Sequence, residues 1–121
     1  MTHSVLIADD EPNIVISLEF MLKREGHRVL VARDGAQALD LIRAERPALV
    51  LLDAMMPGMS GFEVCEAVRA DPQIAATRIL MLTAKARAPD MARGIGAGAD
   101  AYVPKPFSTR DLIARVRELL G

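Results

Sequence analysis

Leu49-Val50-Leu51-Leu52-Asp53, running into the turn Met56-Pro57-Gly58-Met59, is a short apolar run closed by a carboxylate. A continuous apolar run bounded by turn residues reads as a strand buried on both faces. The same form recurs on either side of it. Val5-Leu6-Ile7-Ala8 runs into Asp9-Asp10, Ile79-Leu80-Met81-Leu82 into Thr83, and Ala101-Tyr102-Val103-Pro104 into Lys105. Arg28 to Ala32 adds a short strand between the first two. Helical patterns separate all five.

The first helix starts at Pro12, a residue suited to an opening turn. It repeats Ile14, Leu18, Met21 and Leu22 up to Gly26. Asp34 with Gln37, Ser60 with Glu63 and Ser108 with Asp111 have the spacing of capping boxes or simple N-caps. They open helices that reach about Arg46, Asp71-Pro72 and Leu120. Residues 89–98 predict a weaker helix, because Gly94, Gly96 and Gly98 each cost roughly 1 kcal/mol relative to Ala in a helix interior. Strict alternation of strand and helix predicts an α/β domain with a parallel sheet and helices on both faces. Five strands suit the flavodoxin-like doubly wound (βα)5 order 2-1-3-4-5. Residues 1–121 read as a single domain, with no output domain attached.

The chain has 121 residues, of which 51% are hydrophobic and 26% charged, enough for a full core. Its net charge of −1 gives no global field for nucleic acid or an anionic membrane. With no Trp, one Tyr and three Phe, it lacks platforms for stacking bases. The one cysteine, Cys65, falls among Phe62, Val64 and Val68 and reads as a buried structural thiol in a cytoplasmic protein. His3 and His27 have no metal-ligand spacing and read as surface residues. No signal peptide or membrane-length apolar run is visible.

In an open parallel sheet, ligands gather at the carboxyl ends of the strands, beside the point where strand order reverses. The expected order places Asp9, Asp10, Asp53, Thr83 and Lys105 at that edge. Three carboxylates repel one another, and a hard divalent cation with oxygen ligands offsets them; Mg2+ commonly uses one or two carboxylates with phosphate oxygens. Lys105 adds a positive charge and Thr83 a hydroxyl donor. One carboxylate could attack phosphorus and form an aspartyl phosphate. Asp53 is the best candidate, since it ends the central strand beside an open turn.

These residues carry a family resemblance along the chain from Val5 to Leu120. Ala8-Asp9-Asp10-Glu11-Pro12, Leu51 to Gly61, Leu82-Thr83-Ala84, and Gly98-Ala99-Asp100-Ala101-Tyr102-Val103-Pro104-Lys105-Pro106-Phe107 together resemble the receiver domain of two-component response regulators, the CheY-like superfamily. The resemblance implies that Asp53 takes a phosphoryl group from a sensor histidine kinase or phosphotransfer protein. It implies Mg2+ (or Mn2+) held by Asp10, Asp53 and the Met55 backbone carbonyl, with Asp9 acting through a water. Thr83 and Lys105 would bind phosphoryl oxygens, Lys105-Pro106 would be cis, and Ala84 would leave the acceptor accessible. Tyr102 would turn inward as Thr83 moves, and the surface of helix 4, strand 5 and helix 5 would carry the output. Arg93, Asp100, Asp111 and Arg115 match positions that form dimer ion pairs in regulators with winged-helix output domains. Ala101 stands where that subfamily has a second acid, so a phosphorylation-linked homodimer would be weak. Met55 and Lys85 cannot orient an attacking water, which implies a long-lived aspartyl phosphate.

Other readings make different demands on the residues. A haloacid-dehalogenase-like phosphatase would use an Asp where Met55 stands, and a cap domain. A flavin or nucleotide carrier would need a phosphate cradle after the first strand, where Asp9-Asp10-Glu11-Pro12 repels phosphate. A receiver-like interaction module that is never phosphorylated would not need the full acceptor set.

Overall fold

A computed structural model of the chain describes residues 3–83, 93 and 95–121. The expectations placed on Ala84, Lys85 and most of the helix over 89–98 lie outside the described residues. The elements run β1 (Ser4–Ala8), α1 (Pro12–Arg24), β2 (Arg28–Ala32), α2 (Gly35–Glu45), β3 (Leu49–Asp53), α3 (Gly61–Ala70), β4 (Arg78–Thr83). Residues 93 and 95–97 are helical and mark α4. β5 (Ala101–Pro104) and α5 (Thr109–Leu120) complete the chain. Among the described residues all four strand pairings are parallel, as the alternation predicts, and the order is β2-β1-β3-β4-β5, the flavodoxin-like order expected for five strands.

The central strands are apolar throughout because each face meets its own layer of helices. Leu6, Ala8, Val50, Leu52, Ile79 and Met81 pack on one side with Ala38, Leu39 and Ile42 of α2 and Val64, Cys65 and Val68 of α3. Val5, Ile7, Leu49, Leu51, Leu80 and Leu82 pack on the other with Val15, Leu18 and Leu22 of α1 and Leu112 and Val116 of α5. Successive residues therefore divide between two cores, as the two-residue period of a strand requires. Among the described residues no helix is long and apolar enough to cross a membrane.

Local signals set the ends of these elements. Gly26, at φ +88°, closes α1: its N–H donates to the Lys23 carbonyl and that of His27 to Leu22, a Schellman arrangement. Ser60 and Glu63 form a complete capping box on α3. On α2 only half of the expected box forms. Asp34 accepts from the Gln37 N–H at 2.8 Å, but the Gln37 side chain accepts from Arg33, one residue before the cap.

The two histidines, expected at the surface, are partly covered by each other. The β1–β2 register pairs Ser4 with Arg28, which places His3 beside His27 with ring centroids 5.8 Å apart. Both are half-buried, and burial followed by the His3 charge holds His27 below the usual imidazole range. Cys65 is buried, and burial pushes its thiol up to about 11, so it packs as an inert hydrophobe.

Candidate functional site

The site follows from strand register. Ala8 pairs with Leu52, Asp53 with Leu82, and Thr83 with Pro104. Asp9 therefore lies alongside Asp53, Thr83 follows the residue paired with Asp53, and Lys105 follows the residue paired with Thr83. The ladder continues past the strand ends, since Asp9 N–H donates to the Ala32 carbonyl and Ala54 N–H to Leu82. Five residues on four strands thus reach one edge, at the β1–β3 switch point.

Ligand atoms of Asp9, Asp10 and Asp53 lie within 4.8 Å of one another. Asp9 is fully buried, Asp53 nearly so, and Asp10 is exposed. Main-chain N–H groups fix the two buried carboxylates. Glu11 N–H donates to Asp9 Oδ1 at 2.9 Å, and Met55 N–H donates to Asp53 Oδ1 at 3.2 Å. Both bonds arise because the chain turns sharply where a strand ends in Asp. Three clustered carboxylate oxygens, one facing solvent, are a donor set that fits a hard divalent cation such as Mg2+.

Lys105 enters this cluster from the end of β5. Its Nζ lies 2.9 Å from Asp9 Oδ2, 3.3 Å from Glu11 Oε1 and 3.5 Å from Asp53 Oδ2. Burial pulls its pKa down, but the Asp9 hydrogen bond and the charges of Asp53, Asp9 and Glu11 outweigh that and raise it. Asp53 moves the other way for an acid. Burial, reinforced by the Asp9 charge, pushes it from 3.8 up to about 6 against the opposing pull of the Met55 N–H and Lys105. In the absence of metal the site is therefore short of positive charge. Thr83 is buried at the end of β4, and the Lys105-Pro106 peptide is cis, as the resemblance implies.

Gly61 allows the acceptor strand and α3 to touch. A Cβ there would stand 2.2 Å from the Asp53 carbonyl oxygen and 2.9 Å from Ala54 Cα. Gly35 does the same for the following turn, where a Cβ would meet the Met59 carbonyl oxygen at 2.3 Å.

The structure does not bring every expected residue together. Tyr102 is already buried, in the cluster with Ile79, Met81 and Ala97. Asp100 is occupied within the chain: its Oδ2 accepts from Arg69 at 2.9 Å and from the Ile79 N–H at 2.8 Å. The same Arg69 guanidinium donates to the carbonyls of Ala75, Thr77 and Gly98, tying α3 to the turn before β5. The Arg93 guanidinium lies over the Phe62 ring at 4.2 Å, directed at α3. Arg115 pairs with Glu118 on its own helix at 3.8 Å, and Asp111 supplies the first-turn acid of α5. Glu11 is the site residue that sequence reasoning missed. Its place after the acidic pair was the only signal.

A doubly wound parallel sheet with an acidic, cation-competent cluster at its switch point defines the class of the protein. The chain matches the family model of the response regulator receiver domain over residues 5–117, and it belongs to that family. It is similar to a chain described as a response regulator from Chloroflexus aurantiacus J-10-fl, with 35% identity, TM-score 0.94 and coverage of 99% of this chain and 98% of that one. It is also similar to the chemotaxis response regulator CheY4 of Vibrio cholerae (32% identity, TM-score 0.93, covering 99% and 100%). A third similar structure is the BeF3-activated DrrB receiver domain (31% identity, TM-score 0.87, covering 99% and 98%). Receiver domains are signalling switches of two-component systems, bind Mg2+ at an acidic cluster and work with histidine kinases or phosphotransfer proteins.

Proposed function

We propose that this chain is a phosphorylation switch in which Asp53 accepts the phosphoryl group. The observation that carries the reading is the convergence of Asp9, Asp10 and Asp53 within 4.8 Å, with Lys105 Nζ 3.5 Å from Asp53. An Asp53 carboxylate oxygen attacks phosphorus of a phosphohistidine on a sensor kinase or phosphotransfer protein. The P–N bond breaks and the imidazole nitrogen takes up a proton. Mg2+ or Mn2+, held by Asp10, Asp53 and the Met55 carbonyl with Asp9 acting through a water, would neutralise charge on the phosphoryl oxygens. Lys105 and Thr83 bind those oxygens and favour one of two arrangements of the domain.

Tyr102, a β5 residue buried in the cluster that includes Ala97 of α4, couples that arrangement to the α4-β5-α5 surface. Arg93, Asp100, Asp111 and Arg115, all exposed, are the residues of that surface for a weak, phosphorylation-linked homodimer. Sedimentation that shows a monomer with and without beryllofluoride at high concentration would remove the dimer from this account. The exposed Met55 side chain cannot orient a hydrolytic water, which favours a long-lived phosphoryl group.

Incubation with acetyl phosphate and Mg2+ tests the reading by intact mass. A gain of one phosphoryl group in the wild type and none in Asp53→Ala supports it. No adduct shifts weight to an unphosphorylated interaction module. Multiple turnover of a phosphate ester would point to a phosphatase.

A further inference from the structure

The Glu11 side chain reaches Lys105 from the start of α1. The Lys105 ammonium has three protons to donate. It faces Asp9 at 2.9 Å, Glu11 at 3.3 Å and Asp53 at 3.5 Å while its side chain is 8% exposed. A phosphoryl oxygen on Asp53 takes the place of the Asp53 carboxylate at Lys105 and then shares the ammonium with Asp9 and Glu11. Asp9 cannot yield easily, because its side chain is fully buried and its other oxygen is fixed by the Glu11 N–H. An unpaired buried carboxylate is costly. Glu11 is different. Its side chain is 58% exposed and can exchange Lys105 for water.

We propose that Glu11 is a positioning residue that competes with the phosphoryl group for Lys105 and so sets how tightly the activated site holds it. This rests on the reading of Asp53 as phosphoacceptor. The side chain can be altered without disturbing its surroundings. Glu11 occupies the N-cap of α1 but makes no side-chain cap bond, and the hydrogen bond that orients Asp9 comes from its main chain. With the Glu11 end of the pair open to solvent the effect is modest, so neutralising Glu11 changes affinity by about two- to fivefold.

The test is calorimetric titration with beryllofluoride at saturating Mg2+, comparing wild type, Glu11→Gln, Lys105→Met and the double variant. Glu11→Gln tightens beryllofluoride about two- to fivefold in the wild-type background and has no effect in Lys105→Met. Equal tightening in both backgrounds would show that Glu11 acts as general negative charge, not through Lys105, and overturns the proposal. Unchanged or weaker binding in Glu11→Gln overturns it as well. Failure of the underlying reading looks different: the wild type itself takes up no beryllofluoride, and acetyl phosphate leaves Asp53 unmodified.

Discussion

Replacing Asp53 by Asn should stabilise the metal-free protein at neutral pH. The Asp53 side chain is 6% exposed, and its pKa stands at about 6 against 3.8 for an unperturbed group. Between those values the native state holds a proton that the unfolded chain has released. Stability contributed by this group is full below 3.8, falls as pH rises through the window, and is lost above about 6. At about 1.4 kcal/mol per unit, the ionised Asp53 costs the fold up to about 3 kcal/mol at pH 8. Asparagine removes that charge and keeps an oxygen for the Met55 N–H, although it takes one carboxylate from Lys105. The net gain expected is therefore about 1–3 kcal/mol, or a urea midpoint about 1 M higher. Urea denaturation in a chelator at several pH values reads it directly. The advantage of Asp53→Asn should be close to zero near pH 4 and reach its full size above pH 7. Mg2+ at ten times its dissociation constant should then raise the wild type by about 1.4 kcal/mol and the variant by much less. A variant no more stable than wild type at pH 8, or a gain independent of pH, would refute the electrostatic argument.

Further expectations follow from contacts elsewhere in the fold. Gly61→Ala drives a Cβ against main-chain atoms that cannot swing aside, and should lower stability by about 2 kcal/mol or more and weaken Mg2+ binding, read by denaturation and calorimetry. Ser60→Ala removes the capping box of α3 and should cost about 1 kcal/mol while leaving the affinity for Mg2+ near that of wild type. Leu51→Ala opens a cavity against α1 and α5 and should cost about 2–5 kcal/mol in the same assay. His27, held neutral by burial, should contribute stability above pH 6.5 that is lost as pH falls below it; His27→Leu should flatten that part of the pH–stability curve.

The strands were legible because burial on two faces leaves nothing polar in them until the sheet ends. The polar residue that breaks each run marks the site edge for the same reason. Parallel alternation, taken with the flavodoxin-like strand order, then placed Asp9, Asp53, Thr83 and Lys105 together without any knowledge of contacts. Side-chain partners across the fold were not legible in the same way. Asp100 and Arg69 are 31 positions apart, and Lys105 and Glu11 are 94, so neither pair has a local signature. Nothing local to Arg93 or Asp100 shows that each also meets α3 within the chain. The contact between His3 and His27 has no local signature because it depends on the β1–β2 register. Gly61 was visible as a residue, but the Asp53 carbonyl that excludes a Cβ from it was not. Glu11 looked like one more acid repelling phosphate until Lys105 was seen to reach it.

The central claim is that Asp53, and no other carboxylate of the cluster, carries the phosphoryl group. Borohydride reduction after treatment with acetyl phosphate and Mg2+ converts an aspartyl phosphate to homoserine, which peptide mass sequencing locates. Homoserine is expected at position 53 alone, dependent on Mg2+. Homoserine at position 9 or 10, or none anywhere in the chain, would contradict it.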